Sequence, residues 1–244
     1  PDFWYSWRHQ IEALKDRYTC AALDLRGYNK SGKPEGLEAY DIEVLVADIE
    51  AVIAAEGQES AIVMGHDWGG YISWWLAAFK PERVDKLIIC NLPHPRGISR
   101  ELANNPAQQQ MSAYARLFQT ENAHETLSMG MLANMVAQGD AELAAIYQEA
   151  FEASDAEAML AYYKQNYPRP PYTEDEREVP PVEAPVLQFH GLDDPALHSD
   201  GLNNTWDWLA NTYTLITVPG AGHWVHHDRP DYVNAAIRDW LARH

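Results

Sequence analysis

Apolar positions along the chain recur at two spacings. From Ile42 to Ala55 the residues Ile42, Leu45, Val46, Ile49, Val52 and Ile53 repeat at helical intervals, and the pattern stops near Gly57. Ala61 to Gly65 is a short apolar run of strand length, Tyr71 to Phe79 is apolar at helical spacing, and Val84 to Leu92 is a β-branched run suited to a buried parallel strand. Upstream, Phe3 to Leu14 predicts a helix and Tyr18 to Leu23 a strand; downstream, Pro185 to Phe189 and Tyr213 to Val218 predict strands around a helical Gly201 to Leu209, and Pro230 to Leu241 a last amphipathic helix. Such alternation predicts an α/β fold, a doubly wound and mostly parallel sheet with its reactive groups at the carboxyl ends of the strands.

The pattern changes after Pro93-His94-Pro95. Strand-like runs vanish until about Pro181, and helical patches replace them at 108–118, 124–136, 141–151 and 156–163, closed by Tyr167-Pro168-Arg169-Pro170-Pro171-Tyr172. The predicted organisation is therefore a core from 1 to 93, an inserted all-helical lid from 94 to 181 with proline-rich hinges, and the rest of the core from 182 to 244. A sheet of this kind should carry strands ahead of its first helix, so a chain opening at Pro1 predicts that N-terminal strands are missing.

Composition narrows the function classes. A formal net charge of −18 argues against a nucleic-acid or anionic-membrane partner, and no apolar run reaches membrane-spanning length. Cys20 and Cys90 both lie in apolar strand-like runs, which predicts packed thiols and no disulfide frame. With no signal peptide visible, a cytoplasmic location is the expectation.

The candidate chemistry centres on Ala61-Ile-Val-Met-Gly-His-Asp-Trp-Gly-Gly70, which reads as strand, sharp turn and helix with a carboxylate at the turn. It has the shape of a nucleophile elbow with Asp67 where a serine would stand. Taken alone, the stretch is also compatible with a glycine-rich turn whose aspartate caps a helix. Asp194 and His223 each follow a predicted strand, at the same sheet edge as Asp67. The order nucleophile, acid, base assigns Asp194 to orient His223 and His223 to activate water, with Asp193 as the competing acid. His223, His226 and His227 have the i, i+3, i+4 spacing of a metal site, without a supporting carboxylate or cysteine motif. His94, between two prolines, reads as a hinge residue facing the mouth of a cavity.

These residues carry a family resemblance over essentially the whole chain. Asp24-x-Arg26-Gly27-Tyr28-x-x-Ser31-x-x-Pro34, Gly65-His66-Asp67-Trp68-Gly69-Gly70, Gly191-x-x-Asp194-Pro195 and Gly222-His223-Trp224 resemble the Asp-nucleophile epoxide hydrolases of the α/β-hydrolase superfamily. The resemblance implies that Asp67 opens an epoxide to form an alkyl ester, that water activated by His223 hydrolyses it to a vicinal diol, and that two lid tyrosines donate to the departing oxygen. Tyr114 matches the first tyrosine and Tyr163 the second, with Tyr162 as competitor. The Trp68 N–H is placed among the oxyanion donors, and His66 and Trp224 on the same substrate-binding side. The implied partners are a small-molecule epoxide and water, with no cofactor and no metal; a homodimer is compatible with the reading. Haloalkane dehalogenases share the nucleophile, acid and base, and are the nearest rival: Trp68 could hold a halide, but the lid contains no second tryptophan. A non-catalytic binding protein on the same scaffold is the rival from another class.

Overall fold

The computed structural model describes residues 1–244. Four strands, β1 (Ala61–His66), β2 (Val84–Cys90), β3 (Val186–Gly191) and β4 (Tyr213–Val218), form one sheet in the order β1-β2-β3-β4, with every neighbouring pair parallel. The α-helices in chain order are α1 (Arg8–Leu14), α2 (Ile42–Ala55), α3 (Trp68–Phe79), α4 (Pro95–Asn104), α5 (Pro106–Met111), α6 (Ala113–Phe118), α7 (Ala123–Thr126), α8 (Met129–Ala137), α9 (Ala141–Glu152), α10 (Ala156–Asn166), α11 (Val225–Asp228) and α12 (Pro230–Arg243). No helix is long and apolar enough to cross a membrane.

The continuous apolar runs are explained by position in the sheet. Leu87, Ile88, Ile89 and Cys90 of β2 and Val186, Leu187 and Phe189 of β3 are fully buried, as central strands covered on both faces must be. At the edge of the sheet β4 is only partly covered, and Leu215 is exposed. Helix α3 buries Ile72, Trp74, Leu76 and Ala77 almost completely. It can lie close to β1 because Gly65 has no side chain: a Cβ there would stand 2.5 Å from the Gly69 carbonyl oxygen and 2.6 Å from Ser73 Oγ.

The chain divides into two compact units, one of residues 1–41 with 114–167, the other of residues 42–113 with 168–244. The second holds the whole sheet. In the first, Tyr147 donates to Asp2 at 2.8 Å, Tyr162 OH donates to the Arg26 carbonyl at 2.7 Å, and Asn166 Nδ2 donates to the Tyr40 carbonyl at 2.8 Å, so that α9 and α10 are tied to the 1–41 segment. Of the helical stretch between β2 and β3, α4 and α5 belong with the sheet, while Tyr114 to Tyr167 belong with 1–41.

Three expectations are corrected. Tyr18 to Leu23 is not a strand: it joins no ladder, and Tyr18 to Ala22 are exposed, because an apolar run becomes a strand only where a neighbour accepts its backbone groups. Cys20, in that run, is accordingly an exposed thiol, whereas Cys90 is buried in β2. Gly201 to Leu209 is not an α-helix but lies across two short 3₁₀ turns, Ser199–Leu202 and Thr205–Trp208, separated at Asn204 in the left-handed region.

Candidate active site

Asp67 sits between β1 and α3 with φ 48° and ψ −122°, a conformation an aspartate holds only under constraint. Its side chain makes no capping bond to the helix that follows, so the capping interpretation of this stretch fails. Asp67 Oδ1 instead lies 3.2 Å from His223 Nε2. Trp68 heads α3, and its backbone N–H is at the helix N-terminus, where the helix dipole favours negative charge.

Two loops bring the remaining groups to this turn. After β3, Asp193 N–H donates to the Ala221 carbonyl at 2.9 Å, which ties the loop after β3 to the loop after β4. Their approach is close: a Cβ on Gly191 would fall 2.1 Å from the Gly222 carbonyl oxygen, so position 191 must be glycine. The second loop is braced by Gly222 N–H donating to Asp228 Oδ2 at 2.6 Å and by Arg229 donating to the Gly220 carbonyl at 3.0 Å. His223 Nδ1 then meets Asp194 Oδ2 at 2.8 Å, so that of the two adjacent aspartates it is Asp194 that contacts the ring.

Asp194 is almost completely buried and its carboxylate is fully engaged. Oδ1 accepts from the backbone N–H of Ala196 at 2.8 Å and Leu197 at 3.1 Å, while Oδ2 accepts from His223 and from Asn91 Nδ2 at 2.7 Å. Burial alone would raise its pKa; the His223 charge and these donors outweigh it and hold the carboxyl below its ordinary value. Asp67 follows the same logic, its desolvation outweighed by the hydrogen bond and charge of His223, and it is ionised well below the usual carboxylate range. Burial pushes His223 toward the neutral form, but the two flanking carboxylates, Asp194 first, overcome this and raise its pKa to about 10. The two carboxylates on either side of the ring thus favour its protonated form.

The other predicted residues take definite places. His66 Nε2 donates to the His223 main-chain carbonyl at 3.0 Å, and its ring lies 4.8 Å from that of His223 and 4.7 Å from that of His226. The Trp224 ring stands edge-on to His223 at 4.9 Å. Tyr114 and Tyr163 pair edge to face in the helical unit with ring centres 5.9 Å apart, and Phe118 packs on both, 5.5 Å from Tyr114 and 5.1 Å from Tyr163. Tyr162 is fully buried and its hydroxyl is committed to the Arg26 carbonyl, which separates it from its neighbour Tyr163.

His94 lines a small cleft together with Trp74, Trp75, Pro95, Arg96, Asp175 and Val179. Its Nδ1 accepts from the Arg96 N–H and caps α4, and its ring lies between Trp74 at 4.9 Å and Trp208 at 4.8 Å; burial lowers its pKa to about 3. A polar residue between two prolines is here a helix cap inside an aromatic layer. His223 is not available as a metal ligand beside His226 and His227, because both of its ring nitrogens already face carboxylates. Carboxylate and imidazole atoms of Glu101, His198 and Asp200 lie within 4.8 Å of one another, but Glu101 is engaged by Arg100 at 2.9 Å and Asn105 at 2.9 Å.

Sequence reasoning missed Asn91. It follows β2 directly, is fully buried, and has φ 42°. Its signal was a lone amide closing an apolar strand, at the same sheet edge as Asp67 and Asp194.

A family model described as the α/β hydrolase fold matches residues 1–230. The chain belongs to the α/β-hydrolase family. This hydrolase is 34% identical over 258 residues to epoxide hydrolase 1 of Caenorhabditis elegans, an alignment that covers 100% of the chain and 63% of that relative, so the chain spans less than two thirds of that protein's length. It is 36% identical to an α/β-hydrolase superfamily protein of Bacillus subtilis, covering 99% of the chain and 87% of the relative. Among solved structures, the epoxide hydrolase of Bacillus megaterium in complex with an inhibitor superimposes on this hydrolase with a TM-score of 0.91 and 33% identity, over 99% of this chain and 90% of that one.

Proposed function

We propose that this α/β hydrolase opens epoxides to vicinal diols through an ester formed on Asp67. One observation carries the proposal: the residue at the strained turn between β1 and α3 is an aspartate that does not cap its helix and lies 3.2 Å from a histidine held by a second, buried aspartate. A carboxylate nucleophile attacks carbon and becomes an ester, which water then cleaves. The likeness to proteins named epoxide hydrolases supports the choice of substrate class.

In the first step Asp67 attacks a ring carbon, the ring C–O bond breaks, and its electron pair goes to the oxygen. That oxygen leaves as a strongly basic alkoxide and needs an acid. The proposed donors are Tyr114 and Tyr163. Esterification removes one of the two negative charges beside His223, so the imidazolium loses its support and releases its proton. The proton released balances the one lost by the phenol. Neutral His223 can then take a proton from water as hydroxide adds to the Asp67 carbonyl carbon, with the Trp68 N–H among the donors to the oxyanion. Collapse of this intermediate expels the diol and restores the carboxylate.

The test is a trapped ester. With His223→Gln, attack by Asp67 continues and hydrolysis stalls, so mixing with an epoxide raises the intact mass by one substrate, located on the peptide containing Asp67. A folded variant that binds the epoxide and shows no adduct overturns the assignment of Asp67.

A further inference from the structure

We propose that Asn91 is a positioning residue for the second half of this reaction: by donating to the Asp194 oxygen that also faces His223, it fixes that oxygen and draws off part of its charge, so that His223 can release its proton once Asp67 is esterified. The inference rests on the reading of Asp67, Asp194 and His223 given above.

Asn91 uses both ends of its amide. Nδ2 donates to Asp194 Oδ2 at 2.7 Å, and Oδ1 accepts from the Gly191 N–H at 3.1 Å, the residue at which the loop carrying Asp194 leaves β3. Its own N–H donates to the Phe189 carbonyl at 3.0 Å. One side chain thus clamps the acid and the start of the loop that carries it. The backbone is in the left-handed region, φ 42°, where asparagine is among the few residues with a side chain that settle readily. Complete burial means that no water replaces the amide if it is lost, which sharpens the effect on its partners.

The charge argument depends on what else surrounds the pair. Asp67 faces His223 from the elbow, and the His66 ring lies 4.8 Å away from β1 while donating to the His223 carbonyl. His190 of β3 lies near Asp194, and burial lowers its pKa; His198 is farther along the same loop. The Asp194 oxygen that meets His223 is shared with Asn91 alone among these neighbours, since the backbone donors of Ala196 and Leu197 reach the other oxygen. Without the amide, Oδ2 holds its charge for His223, binds the imidazolium more tightly and delays the neutral base.

The experiment follows adduct formation and clearance in single turnovers with styrene oxide, comparing the parent with Asn91→Gly, which accepts the left-handed backbone, and Asn91→Asp, which keeps the shape but replaces the donor with a second carboxylate. The proposal expects Asn91→Gly to form the Asp67 adduct at the parental rate and to clear it about tenfold or more slowly. The acid limb of clearance against pH should move to higher pH, and further still in Asn91→Asp. The downfield proton resonance of His223 Nδ1, recorded without substrate, should also shift. Parental clearance with a parental acid limb overturns the proposal. So does an equal fall in alkylation and clearance with the limb unmoved, the result of a merely structural role. If Asn91→Gly does not fold, the limb of Asn91→Asp decides the matter in the same way. Should the parent itself form no adduct, the proposed function has failed; the His223 resonance then tests Asn91 separately, and an unshifted signal overturns its role.

Discussion

At the carboxyl edge of the sheet, Asp194 accepts from Asn91, Ala196, Leu197 and His223, and the His223 ring faces a carboxylate on each nitrogen. In the helical unit, Tyr114 and Tyr163 meet edge to face and share Phe118 as a packing partner. The first arrangement is fixed by charges and directional bonds drawn from loops on rigid strands; the second has a large contribution from aromatic packing on helices. Charge networks set protonation states, whereas ring packing sets only where a hydroxyl can be carried. Removing a group from the sheet edge should therefore alter chemistry outright, and removing one from the helical pair should alter it by degrees.

The largest expected effect tests the first half of that contrast. Asp67→Ala removes the nucleophile and one of the two charges on His223, and turnover should fall by roughly 10⁴-fold or more, on the scale of losing a triad member. Residual turnover within tenfold of the parent would mean that the sheet edge does not perform the alkylation. The next effect tests the second half. Tyr114→Phe and Tyr163→Phe should each retain part of the alkylation rate because the other phenol still donates, and the double variant should lose about 3 kcal/mol or more of transition-state stabilisation, on the scale of an oxyanion donor. Single-turnover alkylation measures this. A double variant with parental rate toward an epoxide removes the tyrosines from the mechanism and returns weight to a dehalogenase, whose halide leaves as a weak base.

A third effect concerns stability and pH. The pKa of His223 is raised in the folded protein to about 10, so its contribution is fully present below its unfolded value of about 6.5 and is lost progressively as pH rises from there through about 10. The Asp67 and Asp194 values are lowered, so theirs is present above about 4 and lost as pH falls below it. Urea midpoints should therefore decline on the alkaline side, and His223→Gln should abolish that decline. The effect is moderated because the Asp67 side chain is 21% exposed and water screens its half of the pair. A parent and variant with parallel alkaline profiles would show that the imidazolium is not held between the two carboxylates.

The same contrast explains what could be read from the chain. The elbow was legible because Gly65, Gly69 and Gly70 bracket a charged residue at a strand-to-helix junction, a local pattern with a local cause. Strands β1 to β4 were legible as apolar runs. Tyr18 to Leu23 looked the same but pairs with nothing, since composition carries no information about a neighbour. The aromatic setting of His94 was not legible because it depends on Trp74 and Trp208, of which Trp208 lies far from it in sequence. Asn91 was overlooked for a similar reason: its partners Gly191 and Asp194 lie about a hundred residues away.

The adjacent residues Tyr162 and Tyr163 give the smallest and most discriminating test. On a helix, consecutive side chains point about 100° apart, so one of two neighbouring tyrosines can be structural while the other serves a site. Tyr162 is fully buried, its ring contacts Tyr28 at 5.6 Å and Tyr40 at 5.5 Å, and its hydroxyl donates to the Arg26 carbonyl at 2.7 Å. The Tyr162→Phe variant keeps the ring and removes one donor, leaving a part-buried carbonyl with less satisfaction. The expected cost is about 1–3 kcal/mol of stability, with alkylation by the folded protein close to the parental rate. Tyr163→Phe should instead slow alkylation by the folded protein. If instead Tyr162→Phe slows alkylation in a protein of parental stability, the roles of the two residues are exchanged, and burial with a committed hydroxyl has failed to separate scaffold from acid.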